Sequence, residues 1–301
     1  MVLSVCIPVY NTSVLALVEV LRSQAAVLEE LVEIILLDDG SAPEFREINS
    51  SLQGVEGIKY FEQDNMGRAA TRNRLAELAS GDYLLFVDSD CMVPEGFLRR
   101  YLKHCKSDCV VVGGIAYSPR PEDHKLMLRW KVGVKREQRS IEERRAKPYL
   151  SFLSSNFMIS RSLFSDNRFN SALRNYGHED TLFGNGLFIQ GLQITHIDNP
   201  VIHTGLDTAD LYLMKIEESI GNLLYIWAQG FDYRPFRILV AFRRLRTFGL
   251  AGVFAVLFCI FKKPIRRLLT GFCTSLFLLD IYKLGLFCLA YRQAKKIRAG
   301  R

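Results

Sequence analysis

The chain has 301 residues, 49% of them apolar and 24% charged, a globular composition with room for one large α/β domain plus an appendage or for two small domains. Its net charge of +7 is uneven: residues 231–301 carry 15 of the 39 Lys and Arg but only Asp232 and Asp280 of the 32 acids, giving +13 for the tail and −6 for residues 1–230. The acidic body is excluded as a nucleic-acid surface, the tail calls for an anionic partner, and seven cysteines without a Cys-x-x-Cys pair fit neither a disulfide scaffold nor a zinc site.

The opening "MVLSVCIPVYN" reads as a strand over Val2–Val9 and not as a signal peptide, because Pro8 and Asn11 end the apolar run and no basic stretch precedes it. A reducing, cytoplasmic setting is the expectation. Further strands are expected at Val32–Leu37, Ile58–Phe61, Tyr83–Val87 and Cys109–Val112. Helices with a period near 3.6 are expected between them, at Val14–Leu28, Glu44–Leu52, Ala69–Ala79 and Gly96–His104. Strand and helix in alternation imply a mostly parallel sheet covered on both faces, with ligands beyond the carboxyl ends of the strands. Residues 116–150 turn polar and doubly charged and read as an exposed excursion, a candidate mobile lid. Regular structure is expected to resume with a strand in "SFLSSNFMIS", a helix from "GHEDTLFG", and a last strand near Leu192–Ile197 that leads into "NPVIHTG".

The tail holds fourteen uncharged residues, Phe248–Phe261, then "KKPIRR", then a second apolar segment, Leu268–Tyr291, interrupted by Asp280 and Lys283. Fourteen helical residues reach ~21 Å, short of the ~30 Å hydrocarbon core. A monotopic, in-plane or re-entrant anchor on an anionic membrane surface is therefore expected, with the clusters "RRLR", "KKPIRR" and "RQAKKIRAGR" on one leaflet. The division expected is a body over 1–230, in halves 1–115 and 116–230, and a helical membrane-associating tail over 231–301.

The chemistry concentrates after the strands. In "LLFVDSDC", Asp88 and Asp90 alternate on an extended segment and so project to one side, about 7 Å apart along the backbone. Like charges that close require a divalent cation, a basic side chain or water between them. "SVCIPVYN", "ILLDDGS", "DNMGRAATRN", "LLFVDSDC", "SSNFMISR" and "GHEDTLFG", taken in this order over residues 2–205, resemble the family 2 glycosyltransferases of the GT-A fold. The resemblance implies a nucleotide-sugar donor, expected to be a UDP-sugar, and a divalent cation, Mn²⁺ or Mg²⁺, that stabilises charge on the departing diphosphate.

By that resemblance Asp90 is a metal ligand, Asp88 meets metal, ribose or both, Ser89 lies against the donor, and His203 of "VIHTG" contacts metal or diphosphate. Pro8, Tyr10, Asp39 and Asp38 surround base and ribose; Tyr10 offers a ring and Asp39 an acceptor for a base N–H. Gly67 lets the backbone approach the nucleotide, and Arg68 or Arg72 meets phosphate, Arg72 being the choice for the site. Asp180 is the general base that takes the acceptor's proton, and Glu179 orients the acceptor or its loop. One base facing a metal-held leaving group implies inversion by a single displacement.

Processive synthases related to this family carry Gln-x-x-Arg-Trp after the Glu-Asp pair, whereas here "LMLRW", with Leu126 in the glutamine's place, precedes Glu179, so one addition per acceptor is expected. The setting implied is bacterial surface polysaccharide or glycolipid assembly on the cytoplasmic face of the inner membrane, with a lipid-linked saccharide as acceptor and no nucleic acid as partner. A nucleotidyltransferase is the main alternative, but "PVYNTS" lacks the glycine of a phosphate loop; a non-catalytic membrane partner is the third reading, against which "DSD" and "HED" stand intact.

Overall fold

The computed structural model describes residues 2–299; Met1 and the last two residues of the terminal basic run, Gly300 and Arg301, lie outside the described residues. The first elements are β1 (Val2–Val9), α1 (Leu15–Ala25), β2 (Leu31–Asp39), α2 (Pro43–Ser50), β3 (Ile58–Gln63), α3 (Arg68–Leu78) and β4 (Tyr83–Val87). They are followed by β5 (Cys91–Met92), α4 (Phe97–Leu102), β6 (Val110–Val112), β7 (Ile115–Tyr117), α5 (Met127–Val132), α6 (Ile141–Ala146), β8 (Asn156–Ser160) and α7 (Arg161–Asp166). The chain ends with α8 (Glu179–Ile189), β9 (Ile194–His196), β10 (Val201–His203), α9 (Ala209–Ala228), α10 (Arg237–Thr247), α11 (Ala251–Thr270) and α12 (Leu276–Ala299).

Two compact units share these elements. The first comprises Met1–Ser118, Arg136–Arg174 and Glu179–Gly205; the second comprises Pro119–Lys135, Asn175–His178 and Leu206–Arg301. The body-to-tail boundary expected at 230 thus lies inside the second unit. The reason is α9, whose buried Tyr212, Leu213, Ile216, Ile220 and Leu223 belong to the second unit's helical core.

The first unit is built on a seven-stranded sheet in the order β3-β2-β1-β4-β8-β6-β9. All neighbours are parallel except β8, which runs antiparallel to both β4 and β6, so the sheet is α/β and mostly parallel as expected. Central strands are apolar throughout because both faces are covered. Along β1, Leu3, Val5, Ile7 and Val9 pack to one face with Leu17, Val18 and Leu21 of α1, while Cys6 packs to the other with Leu75 of α3. Phe86 and Phe157 stack at 4.8 Å on that second face, and Phe169 stacks on Phe183 at 4.3 Å. A second, three-stranded sheet in the order β5-β10-β7 has no counterpart in the sequence reading, since two or three residues are too few to show a period.

Residues 116–150 are mostly exposed or half-buried, as expected of an excursion, but they carry regular structure and buried anchors. They form α5, a π-turn at Gly133–Glu137, α6 and a 3₁₀ turn at Tyr149–Ser151, with Leu128, Arg129, Val132, Gly133 and Arg144 buried. In the first unit Arg144 donates to the carbonyls of Val112 (3.2 Å) and Ile197 (2.9 Å), which satisfies strand ends and removes its charge from the surface. In the second unit the two apolar tail segments differ. The second, within α12, buries Leu279, Tyr282, Leu286, Phe287 and Cys288 and is core, whereas α11 leaves a whole apolar face exposed. No single helix among the described residues is long and apolar enough to cross a membrane; α10 and α11 meet that test only together, bent by 118° at their junction.

At the start of β8, Asn156 ties the two sheets of the first unit together. Its amide donates to the carbonyls of Gly114 (2.7 Å) and Asn199 (2.8 Å), and its carbonyl oxygen accepts from the Tyr101 hydroxyl (2.6 Å). Asn156→Ala strands these buried groups and is expected to cost about 3 kcal/mol. Urea denaturation checks this; a midpoint unchanged from wild type would show that water replaces the side chain.

Candidate active site

The carboxyl ends of β1, β2 and β4 carry the residues expected there. Tyr10, just past β1, is exposed, and Pro8 within it is half-buried. Asp39 is occupied by the chain: Oδ1 accepts from Met66 N (2.8 Å) and the Gln63 amide (2.7 Å), and Oδ2 accepts from Gly67 N (3.0 Å). It therefore anchors the turn into α3. Asp38, expected to be the lesser acceptor, is fully buried, with Oδ1 accepting from Ser41 N (2.7 Å) and Oδ2 making no hydrogen bond within the described residues. Gly67 is required at its position. Its φ is +84°, and a Cβ there would lie 2.5 Å from the Arg174 carbonyl oxygen.

Of the two arginines left open in "NMGRAATRN", Arg72 points inward and is 1% exposed. It does not stand free for phosphate. Its Nη2 donates to Asp88 Oδ1 at 2.6 Å, its Nη1 lies 3.6 Å from Glu179 Oε1, and its guanidinium sits over the Phe169 ring at 5.6 Å. Asp88 is thereby an arginine's partner on that oxygen. Burial raises its pKa, but the Arg72 and Arg68 charges outweigh burial and hold it below the ordinary carboxylate range. Arg68, one turn earlier, is exposed.

Asp90 faces the small sheet. Cys91 pairs with His203 across β5 and β10, and His203 Nε2 comes within 3.4 Å of Asp90 Oδ2. The Tyr117 ring, on β7, stacks on His203 at 5.3 Å, and the Asp90 carbonyl accepts from Thr204 N (2.9 Å) and Gly205 N (3.3 Å). A Cβ on Gly205 would lie 2.7 Å from Asp90 Cβ, so this glycine is needed for the approach. Asp90 and His203 are thus brought together while Asp88 is turned to Arg72. Among the described residues no three His, Cys, Asp or Glu groups form a ready-made metal cage. Tyr117, Thr204 and Gly205 were not singled out from sequence; Tyr117 ends a three-residue strand and the other two follow one, too short in either case for a periodic signal.

Glu179 and Asp180 open α8, where acids meet the positive end of the helix dipole. Asp180 Oδ1 accepts from Thr181 N at 2.6 Å. Burial first and the neighbouring Glu179 charge second push the Asp180 carboxyl up to about 7. His178, the preceding residue, has φ +76° and a ring held down to about 3 by burial, so it stays neutral where Asp180 titrates.

The family model "Glycosyl transferase family 2" matches residues 4–168, more than half of the chain. The chain belongs to glycosyl transferase family 2. An uncharacterized glycosyltransferase of Rickettsia conorii is 32% identical over 115 residues, 38% of this family 2 chain and 19% of the relative. The chain spans about a fifth of the length of the curated relatives it first matches. Among solved structures, residues 1–349 of Staphylococcus aureus TarS with UDP-GlcNAc superpose with a TM-score of 0.53 at 16% identity, covering 98% of this chain and 92% of that one. Glucosyl-3-phosphoglycerate synthase of Mycobacterium tuberculosis, in complex with Mn²⁺, UDP and glucosyl-3-phosphoglycerate, gives 0.50 at 22% identity over 74% and 78%. These likenesses establish a shared fold.

The raised Asp180 carboxyl has a consequence for stability. Its folded-state pKa of about 7 exceeds the ordinary 3.8, so between these values the folded chain holds a proton that the unfolded chain releases. The contribution is full below the ordinary value and is lost as pH rises through about 7. Asp180→Asn is expected to remove up to ~1.4 kcal/mol per pH unit of slope in that window. Unfolding free energies of the two proteins at several pH values check this, and parallel curves would place Asp180 in the ordinary carboxylate range.

Proposed function

We propose that this chain is an inverting, metal-dependent glycosyltransferase that makes a single addition, moving a sugar from a UDP-sugar to a hydroxyl of a membrane-held saccharide acceptor. The observation that carries the reading is the place of Asp180, at the start of α8 beside Glu179, whose carboxylate pairs with the buried Arg72 that also holds Asp88; burial there raises the Asp180 carboxyl toward neutrality. A base whose pKa lies near the working pH is ionised enough to act and basic enough to accept a proton. Asp180 takes the acceptor hydroxyl's proton as that oxygen bonds to the anomeric carbon; the bond from that carbon to the diphosphate breaks, and its electron pair leaves with the nucleotide. With one base and no nucleophilic side chain assigned, the displacement is single and the anomeric configuration inverts.

Asp90 and His203 fit a divalent cation: a carboxylate and an imidazole nitrogen 3.4 Å apart, the number of protein ligands such an ion takes when substrate phosphates and water supply the rest. When bound, the cation supplies charge stabilisation to the departing diphosphate. Support for this donor and metal comes from the superposable proteins solved with UDP, with UDP-GlcNAc, and with Mn²⁺ and UDP. Asp38, with its uncommitted Oδ2, is the better acceptor for a base N–H, while Asp39 shapes the turn beneath it. Exposed Arg68 takes the phosphate role first given to Arg72. Tyr10, Pro8 and Ser89 complete the donor side. The setting proposed is the cytoplasmic face of a bacterial inner membrane, in surface polysaccharide or glycolipid assembly.

The test is a donor screen with the purified chain, Mn²⁺ and a panel of nucleotide sugars, scored by hydrolysis and by thermal shift. Asp180→Asn is expected to retain donor binding and lose roughly 10²–10⁴-fold in turnover. The wild-type rate should climb as pH rises through about 7, because the base acts only when deprotonated. Asp90→Ala and His203→Ala should abolish the metal dependence of donor binding. Turnover by Asp90→Ala without added metal at the wild-type rate would end the metal reading, and a donor-binding loss with unchanged turnover in Asp180→Asn would make that residue a binding group.

A further inference from the structure

A surface helix normally turns polar side chains outward. α11 does the reverse. Ala255, Phe258 and Leu269 are buried on its inner face, while Val253, Val256, Leu257, Ile260, Phe261 and Leu268 lie exposed on the opposite side. The stripe is prolonged at both ends, by Phe248 (76% exposed) and Leu250 at the bend from α10, and by Phe272 (91%) after the helix. An exposed apolar strip of this extent marks an interaction surface.

Its charges say which surface. Helical spacing splits "KKPIRR" in two. Lys262 and Arg266 point inward to Glu217, at 3.7 and 3.0 Å, and Arg266 also reaches Asp210 at 3.3 Å. Lys263 and Arg267 are exposed beside the apolar strip, and Arg243 and Arg244 are exposed on α10. The tail's +13 charge has no match in a second copy of the same strip, which would bring these cations face to face. Anionic lipid headgroups meet both features. Pro264, inside α11, has no N–H to donate to the Ile260 carbonyl.

We propose that the outward face of α11, with Phe248, Leu250 and Phe272, is a lipid-insertion face that lies in the plane of an anionic membrane, its apolar side chains among the acyl chain ends and Lys263 and Arg267 among the headgroups. The inference stands on the second unit's own surface and is independent of the donor chemistry.

Flotation of the full chain with phosphatidylcholine vesicles, with and without phosphatidylglycerol, tests it at low and high salt. The chain is expected to float with the anionic vesicles and to be partly released by salt. Lys263→Gln with Arg267→Gln should weaken binding about 30-fold at low salt and little at high salt. Ile260→Ser with Phe261→Ser should weaken it about tenfold or more at either salt. As a measurement on the unsubstituted chain, a polarity-sensitive dye on Cys259, the exposed thiol of α11, should shift to the blue on adding anionic vesicles. Failure to float with any vesicle, unchanged binding by the Ile260/Phe261 variant, or an unshifted dye overturns the proposal. So does a lipid-free dimer that this variant dissolves, which would make a second copy the occupant.

Discussion

A guanidinium with 1% exposure must be held by anions, and Arg72 is held by Asp88 at 2.6 Å and Glu179 at 3.6 Å. These carboxylates come from distant parts of the sequence, the end of β4 and the start of α8. Without the cation between them they would repel, together with Asp180 next door. With it, the end of the sheet and the first turn of α8 are tied to one point. The Phe169 ring below the guanidinium adds a cation–π contact and joins the aromatic layer of Phe157 and Phe183. Leaving one charge of such a buried group without its partner costs several kcal/mol, so the cluster stands or falls as a unit.

The same arrangement pushes Asp88 and Asp180 to different states. Asp88 touches the arginine and is held ionised. Asp180 lies beside Glu179 and is only partly relieved by Arg72, so burial dominates and the proton is retained to near neutrality. One cation, placed closer to one acid than to another, thus separates an acid that never titrates near neutrality from one that does. Asp90 stands outside this group, against His203.

The main sheet was legible because its strands are continuous apolar runs ended by polar turns; Val2–Val9 and Tyr83–Val87 have the bounds read from sequence. The motifs also named the residues that meet around Arg72 and Asp90. What sequence could not convey was direction. Nothing local tells that β8 runs antiparallel, that Arg72 and not Arg68 turns inward, or that Asp39 spends its oxygens on backbone N–H groups. The excursion's short helices and its buried Arg144 were missed for a related reason. A run of charges suggests solvent, but Arg144 carries enough donors to satisfy two strand-end carbonyls from inside the fold.

The tail shows the limit in its sharpest form. By composition α11 and the apolar part of α12 are alike, yet α12 supplies Leu279, Tyr282 and Phe287 to a core while α11 keeps Val253, Leu257, Ile260 and Phe261 outside. Hydropathy sums over a helix and cannot separate its faces. "KKPIRR" reads as one basic cluster, but a rotation of about 100° per residue sends Lys262 and Arg266 one way and Lys263 and Arg267 the other. The inner pair neutralises acids of α9, so it adds little to the external field; the outer pair remains to act on whatever surface the strip meets. A net charge assigned to a segment therefore overstates what a partner feels, and the partner must be inferred from the charges that the helix leaves on the same side as its exposed apolar face.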